Sequence, residues 1–488
     1  MRMIKLTAEP VGSQSRMSFR TQIRRCLRPV LCLSILFATG CGGGGGGSTI
    51  IQPSPVDAWT WMSGSSSSGV TGVYGSVGVA AASNVPGARF PDAGWTDSGG
   101  NLWLFGGQGV DSSGTNGLLN DLWEFSPTSK EWTWMNGGDT VNDAGVYGTR
   151  GVGASTNVPG ARSHGTYWTD ASGNFWLFGG QGYDSTATFG VGLNDLWEFN
   201  TSTKQWTWMS GSNTAGAVSV YGTLGVASPT NVPGARFGSV GWVDGKGALW
   251  LFGGGGPGFN NDLWRFDPAP GEWTWVGGSN VGNQSGVYGS RGVADPSNVP
   301  GGREEMVAWT DKQGNFWLFG GWGVDDTQAN GAGVFNDLWE YSPTSNQWTW
   351  VSGSNSSGEQ GVYGQQGVAA AANVPGARYA GVSWTDASGN LWLFGGFSQT
   401  NDSTGTGLVF NDLWQFNITS KQWAWMASPN GVAQYGSLGV GAVANTPGAR
   451  EGGVTWTDSS GNLWLFGGGG LSAASEENDL WRWGLIQP

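Results

Sequence analysis

The chain has 488 residues, and its 22 Lys and Arg against 35 Asp and Glu give a formal charge of −13. With no basic cluster beyond the N-terminus it is not built for nucleic acid, whose phosphates need grouped Lys and Arg. One histidine and three cysteines leave little for a thiolate or imidazole metal site.

The chain opens with Arg2, Lys5, Arg16, Arg20, Arg24, Arg25 and Arg28 against the single acid Glu9, then runs into an apolar stretch at 30–38. Nine apolar residues are too few to span a bilayer, so the segment reads as a secretory signal peptide over 1–40, with Met17 as an alternative start. Small residues Ala38, Thr39 and Gly40 precede Cys41, and glycines 42–47 with Ser48 follow as a flexible tether. The arrangement resembles a bacterial lipobox, with Ala38 where leucine is usual. It implies lipidation of Cys41, favoured over ordinary cleavage, a tether over 41–57, and a place in the cell envelope, at the outer membrane or cell surface, with the membrane touched only through the anchor. Cys26 and Cys32 leave with the signal, so no internal disulfide is expected and stability must come from burial. Loss of residues 1–40 removes seven basic groups and one acid, moving the charge from −13 to −19.

From there the chain repeats. A phrase NVPGAR, or a close variant, ends at Arg89, Arg162, Arg236, Arg303, Arg378 and Arg450, at spacings of 73, 74, 67, 75 and 72 residues. A period this long marks whole supersecondary units in array. Each unit holds four short segments rich in aromatic and branched residues, bounded by Gly, Asn, Asp and Ser, which is the signature of strands joined by turns. Four antiparallel strands make one propeller blade. Tryptophans sit at fixed places, one on each of the first three strands and two on the fourth, and this pattern takes in all of the 32 except Trp322 and Trp483. No unit could bury such faces alone, so the blades are expected to pack on one another.

The ends of the repeat region complement each other. Trp59-Thr60-Trp61 is a fourth-strand phrase with no strands before it, and the NDLW phrase at 478–481 is a third strand with no fourth after it. The N-terminal strand is therefore expected to pair beside the last third strand, giving an all-β fold over 58–488 with six four-stranded blades and no open edge.

These residues resemble kelch repeats: the Gly-Gly doublet that closes the second strand, as at Gly106-Gly107 and Gly467-Gly468, the NDLW third strand and the Trp-bearing fourth. The resemblance spans essentially residues 58–488 and implies a kelch-type, galactose-oxidase-like propeller. Copper oxidases of that type use two histidines and a tyrosine cross-linked to cysteine. With His164 alone and no cysteine after Cys41, that chemistry does not carry over, and neither a cofactor nor a metal ion is expected. Asp325-Asp326 and Asn401-Asp402 lack the ligand spacing of a calcium loop.

Binding belongs on the face with the long loops, since the first-to-second and third-to-fourth connections are tight turns. Each loop of about 25 residues between blades repeats a Tyr-Gly pair, at Tyr74, Tyr147, Tyr221, Tyr288, Tyr363 and Tyr435, so an ordered collar at the channel mouth is expected. Arg89, Arg162, Arg236, Arg303, Arg378 and Arg450 could grip an anion there, or could each pair with the Asp of an NDLW phrase; the pairing is favoured. What recurs builds the ring, so site residues are sought where the period fails. Directly after the arginines stand Phe90, Ser163, Phe237, Glu304, Tyr379 and Glu451, followed in two repeats by His164 and Glu305. Carboxylates and flat rings suit a hydroxyl-rich ligand such as a sugar. Trp322, outside the tryptophan pattern, is a candidate stacking platform, and the short 255–260 loop of the third repeat would leave a gap in the collar.

No catalytic residue is assigned. The expected function is recognition of a glycan or protein. The alternatives are a sugar isomerase or mutarotase similar to the periplasmic kelch enzymes acting on sialic acid, with Glu304, Glu451, His164 or the arginines moving protons, and a scaffold without a small ligand. Glu and Arg converging on one pocket would favour the enzyme.

Overall fold

A computed structural model describes residues 56–325, 331–399, 407–427, 431–470 and 476–486. Cys41, the expected leader and the expected tether up to residue 55 lie outside these, as do Asp326, Asn401 and Asp402, whereas Val56 and Asp57, expected to end the tether, already belong to the first strand. The described residues contain no helix, and the architecture is all-β.

Six sheets share one antiparallel order of four strands. Sheet I comprises Ala93–Thr96, Leu102–Val110, Asn116–Ser126 and Glu131–Asn136, and sheet II comprises Thr166–Thr169, Phe175–Tyr183, Phe189–Asn200 and Gln205–Ser210. Sheet III holds Val240–Val243, Leu249–Phe252, Leu263–Asp267 and Glu272–Gly277; sheet IV holds Val307–Thr310, Phe316–Phe319, Leu338–Ser342 and Gln347–Ser352. Sheet V follows with Val382–Thr385, Leu391–Phe394, Leu413–Asn417 and Gln422–Ala427. Sheet VI is Val454–Thr457, Leu463–Phe466 and Leu480–Ile486, completed by Val56–Ser63 from the other end of the chain.

The pairing that completes sheet VI sets Trp59 opposite Trp483 and Trp61 opposite Trp481. Trp483, which the repeat pattern leaves out, lies 5.4 Å from Trp59 between ring centroids. The second strands are buried up to their glycine doublets, as in Leu102 to Phe105, because a neighbouring sheet covers each face. The core consequently lies in seams between sheets. One seam joins Trp123 and Trp132 of sheet I to Trp456 and Trp464 of sheet VI, and corresponding clusters join I to II, II to III, III to IV, IV to V and V to VI. First strands lie side by side in the same succession, and that of sheet VI lies beside that of sheet I. Indole N–H groups tie sheets together, with Trp168 donating to the Trp250 carbonyl at 3.0 Å and Trp456 to that of Trp103 at 3.1 Å.

Among the described residues the tyrosine-bearing loops are hydrogen-bonded and repeat one arrangement, though they do not gather only at a channel mouth. Part of each runs along the outer edge of a sheet: Gly78 donates to the Trp134 carbonyl and Ala81 to that of Trp132, on the fourth strand of sheet I. Bridges Ala154 to Trp206 and Ala370 to Trp423 repeat the arrangement. Edge strands left bare would template association, and these loops cover them.

The connections after the glycine doublets are more regular than loops. In sheets I and II the second and third strands run on past the doublet as one hairpin. Sheets IV and V carry separate small hairpins, Trp322–Val324 with Ala332–Val334 and Phe397–Ser398 with Leu408–Val409. The connection in sheet III is too short to fold back in this way. The doublet bends the chain in left-handed conformations, with φ of 54° at Gly106 and 103° at Gly107. A Cβ on Gly107 would collide with the Phe90 carbonyl oxygen, so no larger residue fits.

Candidate functional site

The six arginines are at most 2% exposed. Each guanidinium meets the NDLW aspartate of its own repeat in a bidentate pair with N···O distances of 2.6–2.9 Å. The pairing alternative is therefore what the structure shows. The same carboxylate accepts the collar tyrosine hydroxyl and an indole N–H; for Asp121 these come from Tyr74 and Trp123, both at 2.7 Å. A buried charge pair is tolerable when its remaining hydrogen-bonding capacity is met in this way. Arg89 also donates to the Gly106 carbonyl at 3.2 Å, which gives the first glycine of the doublet a second role as a buried acceptor.

With the arginines neutralised below the surface, the residues after them form the site. Phe90, His164, Glu305, Tyr379 and Glu451 all line one cavity of about 350 Å3. They precede the first strands of their sheets, at the end away from the tight 96–101 turn, so the cavity opens on the long-loop side. It continues between the first strands past Tyr167, Met306, Gly381 and Gly453 into a second space, and beyond Gly241, Ala308, Ser383 and Thr455 into a third.

The rim of the cavity is held by backbone. The carbonyl of His164 accepts from Gly238 at 2.8 Å, that of Gly238 from Glu305 at 2.7 Å, that of Glu305 from Ala380 at 2.9 Å, and that of Ala380 from Gly452 at 2.8 Å. All five have positive φ, between 51° and 63°, including the non-glycine residues His164, Glu305 and Ala380. At the equivalent place in the first repeat stands Pro91, which has no N–H to continue the belt. There Asp92 intervenes, its Oδ1 accepting the Gly165 N–H at 2.5 Å.

Electrostatically the cavity is acidic. Asp92, Glu305 and Glu451 line it, with no Lys or Arg among the described lining residues. Burial, reinforced by the Glu305 charge, pushes the Glu451 carboxyl up to about 7. The same two causes push Glu304, 5% exposed, up to about 8. Burial raises Asp92 to about 6 against the opposing pull of the Gly165 N–H, Arg162 and His164. His164 Nε2 stands 3.4 Å from Glu305 Oε1.

Not every residue singled out from the sequence faces this space. Glu304 pairs with Trp322 across a short strand contact, and its Oε2 occupies the volume beside Gly255 that a Cβ there would need. Phe237 stands behind His164, 6.4 Å away between ring centroids. Trp322 belongs to a hairpin and packs edge-on against Phe259 at 5.3 Å; it does not line the cavity. Conversely, Asp92, Gln108 and Tyr167 do line it. Asp92 was legible: at three residues past the arginine the other repeats have Gly165, Ser239, Met306, Gly381 and Gly453, so the same comparison carried slightly further finds it.

The arrangement offers carboxylates, an imidazole and two ring faces around a space of small-molecule size. Two of its acids, Asp92 and Glu451, are pushed up toward neutrality by burial and could bind a donor-rich ligand or exchange protons with it. No known family's sequence profile matches the chain, and no curated protein matches it either.

Proposed function

We propose that the chain is a binding propeller of the kelch type: six blades closed into a ring by the strand at 56–63, tethered to the cell envelope through Cys41, and holding a glycan or protein segment in the cavity without transforming it. Closure is supported by the succession of first strands that returns from sheet VI to sheet I, and by Gly468 donating to the Arg89 carbonyl at 2.9 Å, from the last repeat to the first. The single observation behind the ligand reading is that five residues chosen only because they break the repeat meet at one cavity.

The test is a glycan array and a peptide library probed with the full chain beside its Glu451→Gln and Trp322→Ala variants. A ligand lost in Glu451→Gln and kept in Trp322→Ala is the expected result. A ligand kept in the first and lost in the second would move the site to the 322–334 hairpin.

A second reading, a sugar isomerase or mutarotase, is favoured by one observation: His164 and Glu305 face each other beside Glu451, whose carboxyl lies near neutral pH, where general acid–base groups work best. The locked arginines count against it, since only the carboxylate half of the expected convergence is present. Following anomer interconversion by NMR with and without the protein separates the two.

A further inference from the structure

The lining of the cavity is unbalanced in a way that names the chemistry of its ligand. Asp92, Glu305 and Glu451 supply carboxylate oxygens, and the arginines that could answer them are committed to other aspartates. Asp92 is 6% exposed, and while Oδ1 is used by Gly165, Oδ2 has no hydrogen-bond partner. A buried carboxylate oxygen without a donor is costly unless something supplies one. Among the described residues no three His, Cys, Asp or Glu side chains converge closely enough to hold a metal ion. The acceptors are spread around the walls, with Phe90 and Tyr379 between them, so they suit an organic molecule whose positive charge and donors are distributed over a ring.

We propose that the cavity binds a cationic amino sugar, a hexosamine with a free ammonium group. This rests on the reading of the cavity as a ligand site and narrows it from glycans in general. The ammonium meets the acids, the hydroxyls donate to the remaining oxygens, and the apolar ring face lies on Phe90 or Tyr379. His164 beside Glu305 takes the place of a second base at the rim. N-acetylation removes the charge and adds a carbonyl that faces acceptors.

Binding requires the acids ionised. The titratable groups facing the ligand or packed against those that do are Asp92, His164, Tyr167, Glu304, Glu305, Tyr379 and Glu451. In the empty cavity Asp92 and Glu451 ionise only as pH rises through about 6 and 7. The ammonium draws their protons off, so proton release accompanies binding.

The experiment is isothermal titration of the full chain with glucosamine, glucose and N-acetylglucosamine at pH 7, in two buffers of different ionisation enthalpy. Glucosamine is expected to bind about tenfold or more tightly than the other two, as one charge-assisted contact warrants. The heat should differ between buffers because protons are released, and affinity should fall at pH 5. Asp92→Asn and Glu451→Gln should each erase the preference, and Glu451→Gln serves if Asp92→Asn does not fold. Equal affinity for the three sugars overturns the amino-sugar assignment and leaves the binding site standing. Failure of all three to bind overturns the assignment, and a peptide ligand from the library would then redirect the cavity to protein.

Discussion

His164 and Glu305, from neighbouring but one repeats, reach across the cavity rim to within 3.4 Å, and both do so from left-handed backbone, with φ of 60° and 55°. Non-glycine residues in that conformation carry strain of about 1 kcal/mol each, and such strain collects where function holds it in place. The pair itself contributes little to stability, because the His164 side chain is exposed. His164→Gly should therefore stabilise the fold by up to about 1 kcal/mol while weakening ligand binding. Chemical denaturation beside ligand titration checks both signs, and a destabilised variant would show that the pair outweighs the strain.

The raised carboxyls predict a pH dependence. A carboxyl whose pKa is higher in the folded protein than in the unfolded chain stabilises at low pH and loses that contribution as pH rises. For Glu304 the loss runs from the ordinary carboxylate range to about 8. Glu451 and Glu477, both pushed up to about 7 by burial, act in the same direction. The melting temperature should fall between pH 5 and pH 8.5, and fall less in Glu304→Gln. Parallel profiles for the two proteins would contradict the burial assigned to Glu304. At acid pH the opposite sign takes over, because Arg162 and Arg378 hold Asp195 and Asp412 below their usual range.

The buried ion pairs predict an asymmetric mutational response. Asp121→Asn leaves the Arg89 guanidinium charged, fully buried and without its counterion, at a cost of about 3–5 kcal/mol. Replacing both, as Arg89→Met with Asp121→Leu, should cost less than the single change despite deleting more hydrogen bonds. Urea denaturation of the two variants beside the parent chain measures this, and a double variant worse than the single would show the Tyr74 and Trp123 bonds to dominate.

Much of this architecture was legible because it repeats. The Arg, the NDLW aspartate and the loop tyrosine recur at fixed spacing, and the structure joins them in one network, Tyr147 to Asp195 to Arg162 in the second repeat as in the others. The pairing of Trp59 with the last strand followed from two incomplete ends. The site was legible only in part, since a break in the period marks an unusual position without saying which way its side chain points. Glu304 and Glu305 are adjacent and equally irregular, yet only Glu305 lines the cavity, because the Glu304 carboxylate turns into the space left beside Gly255. Trp322 was misleading for a related reason: the residues after its glycine doublet fold into a hairpin, which gives the indole a partner in Phe259. Asp92 was missed because it breaks the period one residue past the positions compared.

The glycine doublets should tolerate no side chain. In Gly107→Ala the new methyl would collide with the Phe90 carbonyl in a backbone conformation already unfavourable to alanine. The expected outcome is a loss of more than about 2 kcal/mol together with weaker ligand binding, since Phe90 forms part of the cavity wall. Gly151→Ala, at a positive φ but with open space around its Cβ, should lose only about 1 kcal/mol and leave binding intact. Thermal melts of both variants decide whether close approach or conformation governs.

Everything proposed for the cavity depends on the six sheets closing into one ring, and closure depends on the strand at 56–63 lying beside the strand at 480–486. Thr60 faces Arg482 in that register, within the span a disulfide can bridge. In a chain carrying Thr60→Cys and Arg482→Cys, with its own cysteines replaced by serine, mild oxidation should join the two introduced thiols and raise the melting temperature. A control with Thr60→Cys and Thr349→Cys, on the fourth strand of sheet IV, should form no such bond. If the thiols introduced at positions 60 and 482 stay reduced while the chain folds and both react with a thiol probe, the ends do not meet and the closed ring is wrong.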